Sequence, residues 1–220
     1  MIDIQVEKVL SDTKKYSLLT TLGNVKEIVI GVPHHAPLGI PNLPCREHPD
    51  SDENAGYIGY DVARLLSCNS IIACNSPVDP NKSKDSEYCK NILDWKPKIL
   101  VEIHGHGGRA AKFDVEISSG SFTQNIWSEN LAKKLWGKFS DLPLLKSYTL
   151  SGDFNVIYFK AKNSFTITTN EWTAFHIELP KSIRESKEKY SLFCNSLAEA
   201  MNEIMGSYDE ILASQNQNAG

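Results

Sequence analysis

One apolar stretch that ends in two histidines constrains this chain more than any other part of its sequence. Residues 99–103 (Ile-Leu-Val-Glu-Ile) are mostly apolar and β-branched, and they lead into His-Gly-His-Gly-Gly. Such a run predicts a buried strand. A buried strand delivers its last residues to a fixed place, and His104 and His106 share a face in an extended backbone. Because the neighbouring glycines leave room for a ligand or a metal, the pattern predicts a functional site at this strand end.

The composition limits the class of protein. The chain has 220 residues, of which 41% are hydrophobic and 23% charged, which is typical of a soluble globular domain. We expect one domain over residues 1–213 and a frayed polar tail over residues 214–220. The net charge of −4 gives no support for binding nucleic acid or an anionic membrane.

The lack of a recognisable signal peptide or membrane span and the spacing of the cysteines predict a cytoplasmic protein. No apolar run is long enough to span a membrane, and the N-terminal residues lack the charged and apolar regions of a signal peptide. The five cysteines are widely spaced and include no Cys-x-x-Cys pair. We therefore expect reduced, packed thiols and neither a disulfide framework nor a cysteine zinc site.

Apolar strands alternate with helical patterns along the chain, which predicts an α/β fold whose sheet has parallel strands at its centre. We expect strands at residues 27–32, 71–75, 99–103, 113–118 and 174–179, and helices at 57–66, 88–95, 125–138 and 185–207. Weaker patterns predict further strands at residues 2–6, 154–160 and 164–169. In such sheets the active site lies beyond the carboxyl ends of the parallel strands.

Polar residues follow several of the predicted strands, and we expect them to meet at that edge. His34 and His35 follow the first strand, and Asp52 and Glu53 precede a helix, where the alternative role is helix capping. Together with His104, they could provide two imidazoles and one carboxylate, a normal ligand set for catalytic zinc that leaves a fourth position for water. A metal held in this way acidifies water and polarises a carbonyl group.

Amide hydrolysis at such a metal needs a second carboxylate that accepts a proton and passes it to the leaving amine. Glu178 fits this role because it lies in the apolar run Phe-His-Ile-Glu-Leu-Pro, where a buried carboxylate needs a partner or a raised pKa. An ion pair with Lys181 or Arg184 is the alternative role for Glu178.

Five motifs occur in order between about residues 29 and 184: strand–Pro-His-x-Ala, an acidic helix start, Val-Asp-Pro-Asn-Lys, strand–Glu-Ile-His-Gly and strand–Ile-Glu-Leu. This order resembles the N-formylglutamate amidohydrolase family, which is related to zinc carboxypeptidases and aspartoacylases. The resemblance implies a phosphorylase/hydrolase-like α/β/α fold with three layers, a mixed, centrally parallel sheet and one Zn²⁺ ion. It also implies hydrolysis of an amide bond in a small acidic or N-acyl amino acid, a γ-glutamyl compound or a peptide.

The resemblance also implies roles for individual residues. His34 matches the family's first ligand histidine, His104 the second, and Glu178 the general base. Glu53, or failing that Asp52, matches the carboxylate ligand. Where the family usually has Ser-Gly after the first histidine, this chain has His-Ala, which leaves open whether His34 or the following histidine binds the metal.

Substrate contacts are implied in the same way. The run Asp-Pro-Asn-Lys at residues 79–82 resembles the family's Asp-x-Asn-Arg, so Asn81 and Lys82 are expected to help hold a substrate carboxylate. Lys82 offers a point charge where the family has a bidentate guanidinium. Arg109 and Arg184 are further candidates, with a solvated surface position as the alternative. His35, Asp52, His106 and Asp114 are expected to orient a ligand or the substrate.

Two rival interpretations remain open. The run His-Pro-Asp at residues 48–50 resembles the motif of PIG-L-type zinc deacetylases, and this interpretation would make His48 a ligand and leave His34 without a role. An inserted Ser51 and the lack of a strand directly before the run count against it. The other rival is a non-catalytic binding protein with the same fold. No Gly-x-Ser-x-Gly motif supports a serine nucleophile.

Overall fold

A computed structural model describes residues 2–218 and shows a mixed β-sheet between two layers of helices. The strands are β1 (Ser17–Thr21), β2 (Val25–Ala36), β3 (Asp52–Glu53), β4 (Cys68–Cys74), β5 (Ile99–His106), β6 (Val115–Ser118), β7 (Leu150–Ser151) and β8 (Thr173–Pro180). The helices are α1 (Ile4–Leu10), α2 (Ala55–Leu66), α3 (Glu87–Trp95), α4 (Asn125–Ser140), α5 (Phe165–Thr168), α6 (Lys181–Arg184), α7 (Lys187–Gly206) and α8 (Tyr208–Asn218).

The sheet has the order β1-β4-β2-β5-β8-β6-β7, and β3 pairs with the end of β2. Strands β4, β2, β5 and β8 are parallel. Strand β1 runs antiparallel to β4 and β6 antiparallel to β8, whereas β6 and β7 are parallel to each other. The expected mixed, centrally parallel sheet in a three-layer α/β/α fold is therefore confirmed. The carboxyl ends of β2, β5 and β8 lie side by side, which is where the sequence placed its histidines and Glu178.

The alternation of side chains along β5 explains the two helical layers. Val101 and Ile103 belong to the larger core, which α2, α4 and α7 cover, whereas Leu100 faces the opposite layer with Tyr88 and Ile92 of α3. All of these side chains are fully buried. Because successive residues of a strand point to opposite faces, both faces of the central strands need an apolar cover.

The expected strand at residues 2–6 is wrong, since this region begins helix α1. The side chain of Asp3 accepts hydrogen bonds from the backbone N–H groups of Gln5 (2.8 Å) and Val6 (3.4 Å) and so caps the helix. Val6 and Leu10, one helical turn apart, are its buried residues. The alternating pattern Ile-Asp-Ile-Gln-Val does not mark a buried face here, because Ile4 is 82% exposed.

The expected strands at residues 154–160 and 164–169 are also wrong. Residues 154–160 form turns and irregular backbone, and α5 is a single helical turn. The backbone N–H groups of Tyr158 and Phe159 donate to the carboxylate of Glu116 (2.8 Å each) instead of to a neighbouring strand. A side chain 42 residues away in the sequence therefore replaces the ladder that the local pattern predicts.

The C-terminal end of the chain differs from the expectation in a smaller way. Residues 214–218, expected to be frayed, continue α8 as far as Asn218, and residues 219–220 lie outside the described part of the chain. Among the helices described, none combines the length and the apolar character that crossing a membrane requires.

Candidate metal centre

The last residues of β2 are irregular, and this irregularity decides which histidine faces the site. The register between β2 and β4 shifts between Val32 and His35. Gly31 lies against Glu102, so strict alternation would bring Pro33, not His34, to that face of the sheet. The shift acts as a β-bulge, a feature that re-aims side chains beside active sites. His34 consequently joins the face on which β5 presents His104.

Three buried atoms converge at this point. Asp52 Oδ2 lies 3.4 Å from His34 Nδ1 and 3.2 Å from His104 Nδ1. Ligands held tetrahedrally at 2.0–2.1 Å from zinc are separated by about 3.3 Å from one another, so both distances match edges of such a tetrahedron. His34 Nδ1 and Asp52 Oδ2 have no hydrogen-bond partner among the described residues. The three residues could therefore hold a divalent metal, which would satisfy these atoms.

The other ring nitrogen of each imidazole contacts a buried carboxylate. His34 Nε2 lies 3.1 Å from Asp79 Oδ1, and His104 Nε2 lies 3.3 Å from Glu102 Oε2. Metal-binding histidines characteristically donate their second N–H to a carboxylate, which fixes the tautomer and the ring orientation and makes the ligand more basic. This arrangement leaves both Nδ1 atoms free for a metal.

Further groups hold these two carboxylates in place. Glu102 accepts hydrogen bonds from Asn81 Nδ2 (2.9 Å) and from the hydroxyl of Tyr88 (3.0 Å). Asp79 Oδ2 lies 2.7 Å from Lys82 Nζ. Asn81 and Lys82, expected to bind substrate, thus support the carboxylates behind the histidines. Glu102 was missed by the sequence reasoning, although a glutamate in an apolar strand, two residues before His104, was an available signal.

The charges of the site favour a cation. Burial opposes a charge on His104, but the carboxylates of Asp52 and Glu102 raise its pKa to about 10. Burial likewise disfavours the Asp52 carboxylate, but the imidazoles of His104 and His34 hold its pKa well below the usual range. A group of donors that retains a proton so strongly in the absence of metal also suits a divalent cation.

Glu178 lies beside this group. In the parallel register of β5 and β8 it is the partner of His104, and burial raises its pKa to about 8. Its Oε1 lies 3.5 Å from His176 Nε2, and its Oε2 has no hydrogen-bond partner among the residues described. The described ion pairs of Lys181 are with Glu53 and Glu185, so Lys181 is not the partner of Glu178. A carboxyl group that titrates near neutral pH can exchange protons with a substrate.

In each pair of adjacent candidate ligands, the two histidines and the two acids, the second residue contacts groups outside the converging ligand atoms. Glu53 Oε1 accepts from the Gly39 N–H (2.8 Å), and its Oε2 lies 3.2 Å from Lys181 Nζ. This geometry differs from the expected role of Glu53 as ligand, because successive residues of β3 project to opposite sides. His35 is fully buried on the other face of the sheet.

His35 uses both of its ring nitrogens in hydrogen bonds to the backbone of other elements. Its Nδ1 accepts a hydrogen bond from the Gly56 N–H (3.1 Å), so its Nε2 carries the proton that is donated to Leu10 O (3.0 Å). Burial lowers the pKa of His35 to about 4, and the imidazole is therefore neutral near pH 7. It links β2 to α1 and α2.

Two more histidines surround the centre. The His48 ring stacks on His34, with centroids 3.8 Å apart, and the His176 ring lies 4.1 Å from that of His104. Each belongs to a further group of possible metal ligands, His34–His48–Asp79 and His104–His176–Glu178. Since both groups share a histidine with the first, the side chains form one cluster. Sequence reasoning passed over His176, although its position two residues before Glu178 places both on one face of β8.

A cleft of about 580 Å³ opens in front of the cluster. Asp52, His104 and Glu178 line it, and so does Arg109, which is exposed. Arg184 lines the cleft too, but it is buried and donates to the backbone oxygens of residues 53, 106 and 179. Its guanidinium therefore joins three strand ends as well as facing the cleft.

His106 lines the cleft, and neither His106 nor Asp114 belongs to the groups of possible metal ligands among the described residues. His106 Nε2 donates to Asp114 O (2.9 Å), and its Nδ1 accepts from the Gly108 N–H (3.1 Å). The Asp114 carboxylate accepts two hydrogen bonds from Thr149. Gly108 has a φ of +86°, which favours glycine. The hydrogen bond from His106 to Asp114 O therefore connects the two ends of the loop that carries Arg109.

No protein-family model matches the chain, and no curated protein matches it in sequence. Solved structures do. A bacteriophage poly-γ-glutamate hydrolase superposes with a TM-score of 0.57 at 13% identity, covering 91% of this chain and 95% of that one. This chain has the fold of that hydrolase. The catalytic domain of CwlV, an N-acetylmuramoyl-L-alanine amidase from Bacillus (Paenibacillus) polymyxa var. colistinus, superposes with a TM-score of 0.51 at 10% identity. This match covers 82% of this chain and 98% of that domain. A zinc-free structure of YNDL superposes with a TM-score of 0.52 at 13% identity, covering 85% of this chain and 89% of that one.

These similarities confirm the expected amidohydrolase-like fold, and they do not single out the N-formylglutamate amidohydrolase family. They are similarities of fold, and the chemistry must be argued from the residues of the cluster.

Proposed function

We propose that this protein is a zinc-dependent amidohydrolase, with His34, Asp52 and His104 as the metal ligands and Glu178 as the general base. One observation carries the proposal: Asp52 Oδ2 lies at the edge length of a zinc tetrahedron from each of two buried imidazole nitrogens, and a carboxylate stands behind each histidine. The fold shared with the poly-γ-glutamate hydrolase and with CwlV supports this assignment.

The protein side chains divide the chemistry among them. His34, Asp52 and His104 would hold the zinc ion, which when bound would supply a more acidic water and a Lewis acid for the substrate carbonyl. Glu178 accepts the proton of the attacking water and returns it to the leaving nitrogen. Asp79 and Glu102 contact the Nε2 atoms of both imidazoles, so that each Nδ1 faces the position proposed for the metal.

The substrate that we propose is an amide of a small acidic compound, either an N-acyl amino acid such as N-formylglutamate or a γ-glutamyl compound. Support comes from the cations around the cleft. Arg109 lines it with its charge at the surface, and Arg184 lines it from a buried position. The likeness to a poly-γ-glutamate hydrolase favours the γ-glutamyl class. A cation near a substrate carboxylate gives orientation and attraction.

The test is metal analysis together with hydrolysis by the purified full chain. Wild-type protein should contain one zinc per chain and release amine from N-formyl-L-glutamate or from γ-glutamyl oligomers. His104→Ala should lose zinc and activity together. Zinc-loaded wild-type protein that cleaves neither substrate would contradict the proposed function and favour a binding protein.

A further inference from the structure

Part of the lining of the cleft consists of aromatic rings in contact with one another. The Phe159 ring stacks on His106 with centroids 5.6 Å apart and an interplanar angle of 22°. Tyr158 packs edge-on against Phe159 at 5.0 Å. His106, Phe159 and Tyr158 all line the cleft, and we call these three residues the aromatic platform. Its outermost ring, Tyr158, is 55% exposed.

The platform is held in place by a buried carboxylate. Glu116 is fully buried. Its Oε2 accepts from the N–H groups of Tyr158 and Phe159 (2.8 Å each), and its Oε1 accepts from those of Lys112 (2.6 Å) and Phe113 (3.2 Å). A buried carboxylate is tolerated only when its oxygens are satisfied in this way. Glu116 therefore connects the backbone of Tyr158 and Phe159, and that of residues 112–113, to strand β6.

Other contacts fix the same segment. Ile157 and Phe154 are buried, so the exposure of Tyr158 does not come from a loosely attached loop. The Ser118 hydroxyl donates to Lys160 O (2.9 Å). The backbone that carries the exposed ring of Tyr158 is thus fixed at several points. Because the ring is already held in place, the surface is pre-organised for binding.

We propose that the aromatic platform binds a ring-bearing group of the substrate beside the scissile amide, with Glu116 as its positioning residue. This inference rests on the proposed function, because it names the kind of group that the substrate carries. A series of packed aromatic rings that ends in an exposed ring offers a further ring a flat apolar face. Both an aromatic ring and the apolar face of a sugar provide such a partner.

The test compares ligands that differ by a ring. N-benzoyl-L-glutamate and N-acetyl-L-glutamate share their charges, and muramyl dipeptide supplies a sugar ring. Binding is measured calorimetrically on the zinc-loaded full chain with Glu178→Gln, so that no ligand is consumed. We expect a ring-bearing ligand to bind about two- to tenfold more tightly than N-acetyl-L-glutamate, the range of one aromatic contact. Tyr158→Ala should abolish this preference, whereas Tyr158→Phe and Val156→Ala, the latter on the same exposed segment, should keep it.

Glu116→Gln separates positioning from simple stability. Hydrogen exchange should accelerate about tenfold or more at the amides of Lys112, Phe113, Tyr158 and Phe159, because each loses a charged acceptor. The ring preference should fall in the same variant. Ser118→Ala is the matched control: it removes only the uncharged contacts of the Ser118 hydroxyl with Lys160 O and the Gly120 N–H, so exchange should rise at Gly120 but not at the four amides that donate to Glu116. Tyr158 is exposed, so its variants still test the platform if Glu116→Gln does not fold.

Each outcome decides the inference. A preference for benzoyl over acetyl identifies an aromatic group, and a preference for muramyl dipeptide alone identifies a sugar. No ring preference in the parent protein, or a preference that survives Tyr158→Ala, overturns the platform. Wild-type protein that hydrolyses amides without ring preference refutes the platform alone, and ring preference without hydrolysis refutes the proposed function alone.

Discussion

Replacing the two neighbouring acids of β3 one at a time separates the proposed ligand from its neighbour. Asp52→Asn keeps the size of the side chain but removes the charge of the atom that lies 3.2 and 3.4 Å from the two Nδ1 atoms. Glu53→Gln is the matched control. Glu53 is equally close in sequence, but its oxygens contact the Gly39 N–H and Lys181 Nζ.

The expected magnitudes follow from these contacts. Removing a group that only orients a ligand typically lowers metal affinity about 10- to 100-fold. Asp52 is proposed as a direct ligand, so Asp52→Asn should lower zinc affinity by more than about 100-fold, which equals about 2.7 kcal/mol or more at about 1.36 kcal/mol per decade. Glu53→Gln should leave zinc affinity within about threefold, because its ion pair with Lys181 is at the surface.

Competition with a chromogenic zinc chelator measures both affinities on purified protein. Circular dichroism and thermal unfolding of the metal-free variants show whether each is folded, so that a loss of affinity is not a loss of structure. The reasoning is refuted if Glu53→Gln loses zinc while Asp52→Asn retains it. Equal losses in two folded variants would also contradict it.

Three further predictions concern the residues around the ligands. Glu178→Gln should keep zinc but lower turnover of an amide substrate by about 100-fold or more, and near-normal turnover would rule out the general base. Glu102→Gln should weaken zinc about 10- to 100-fold through His104, measured with the same chelator; unchanged affinity would show that this contact is unimportant. His35 has its pKa lowered to about 4 from 6.5 by burial, so its contribution to stability is complete above pH 6.5 and is lost as the pH falls through 4. Unfolding of the metal-free protein at pH 7 and pH 4 should show that wild type loses about 3 kcal/mol more than His35→Gln, and equal losses would refute the assignment.

The fold could be predicted from the sequence where burial decides the structure. The central strands are fully buried apolar runs, and alternation with helices was enough to predict the parallel sheet. The failures occurred where side chains satisfy the backbone. Asp3 starts a helix inside an alternating pattern, and Glu116 replaces strand pairing for residues 158 and 159. A local pattern does not contain the position of a distant carboxylate.

The candidate site could be predicted to the level of residue types and strand ends, but not to individual neighbours. His104 and Glu178 end adjacent parallel strands and required only the topology. Choosing between adjacent histidines depends on the register shift before His35, and choosing between adjacent acids depends on a two-residue strand. Neither feature has a signature in the local sequence. Both determine which side of the backbone a residue faces.

The most direct test of the account is crystallography of the zinc-loaded protein with anomalous scattering at the zinc edge. We predict one peak per chain, at about 2.0–2.2 Å from His34 Nδ1, His104 Nδ1 and Asp52 Oδ2. A peak bound instead through His48 or His176, or no peak in protein soaked with zinc, would contradict the central claim.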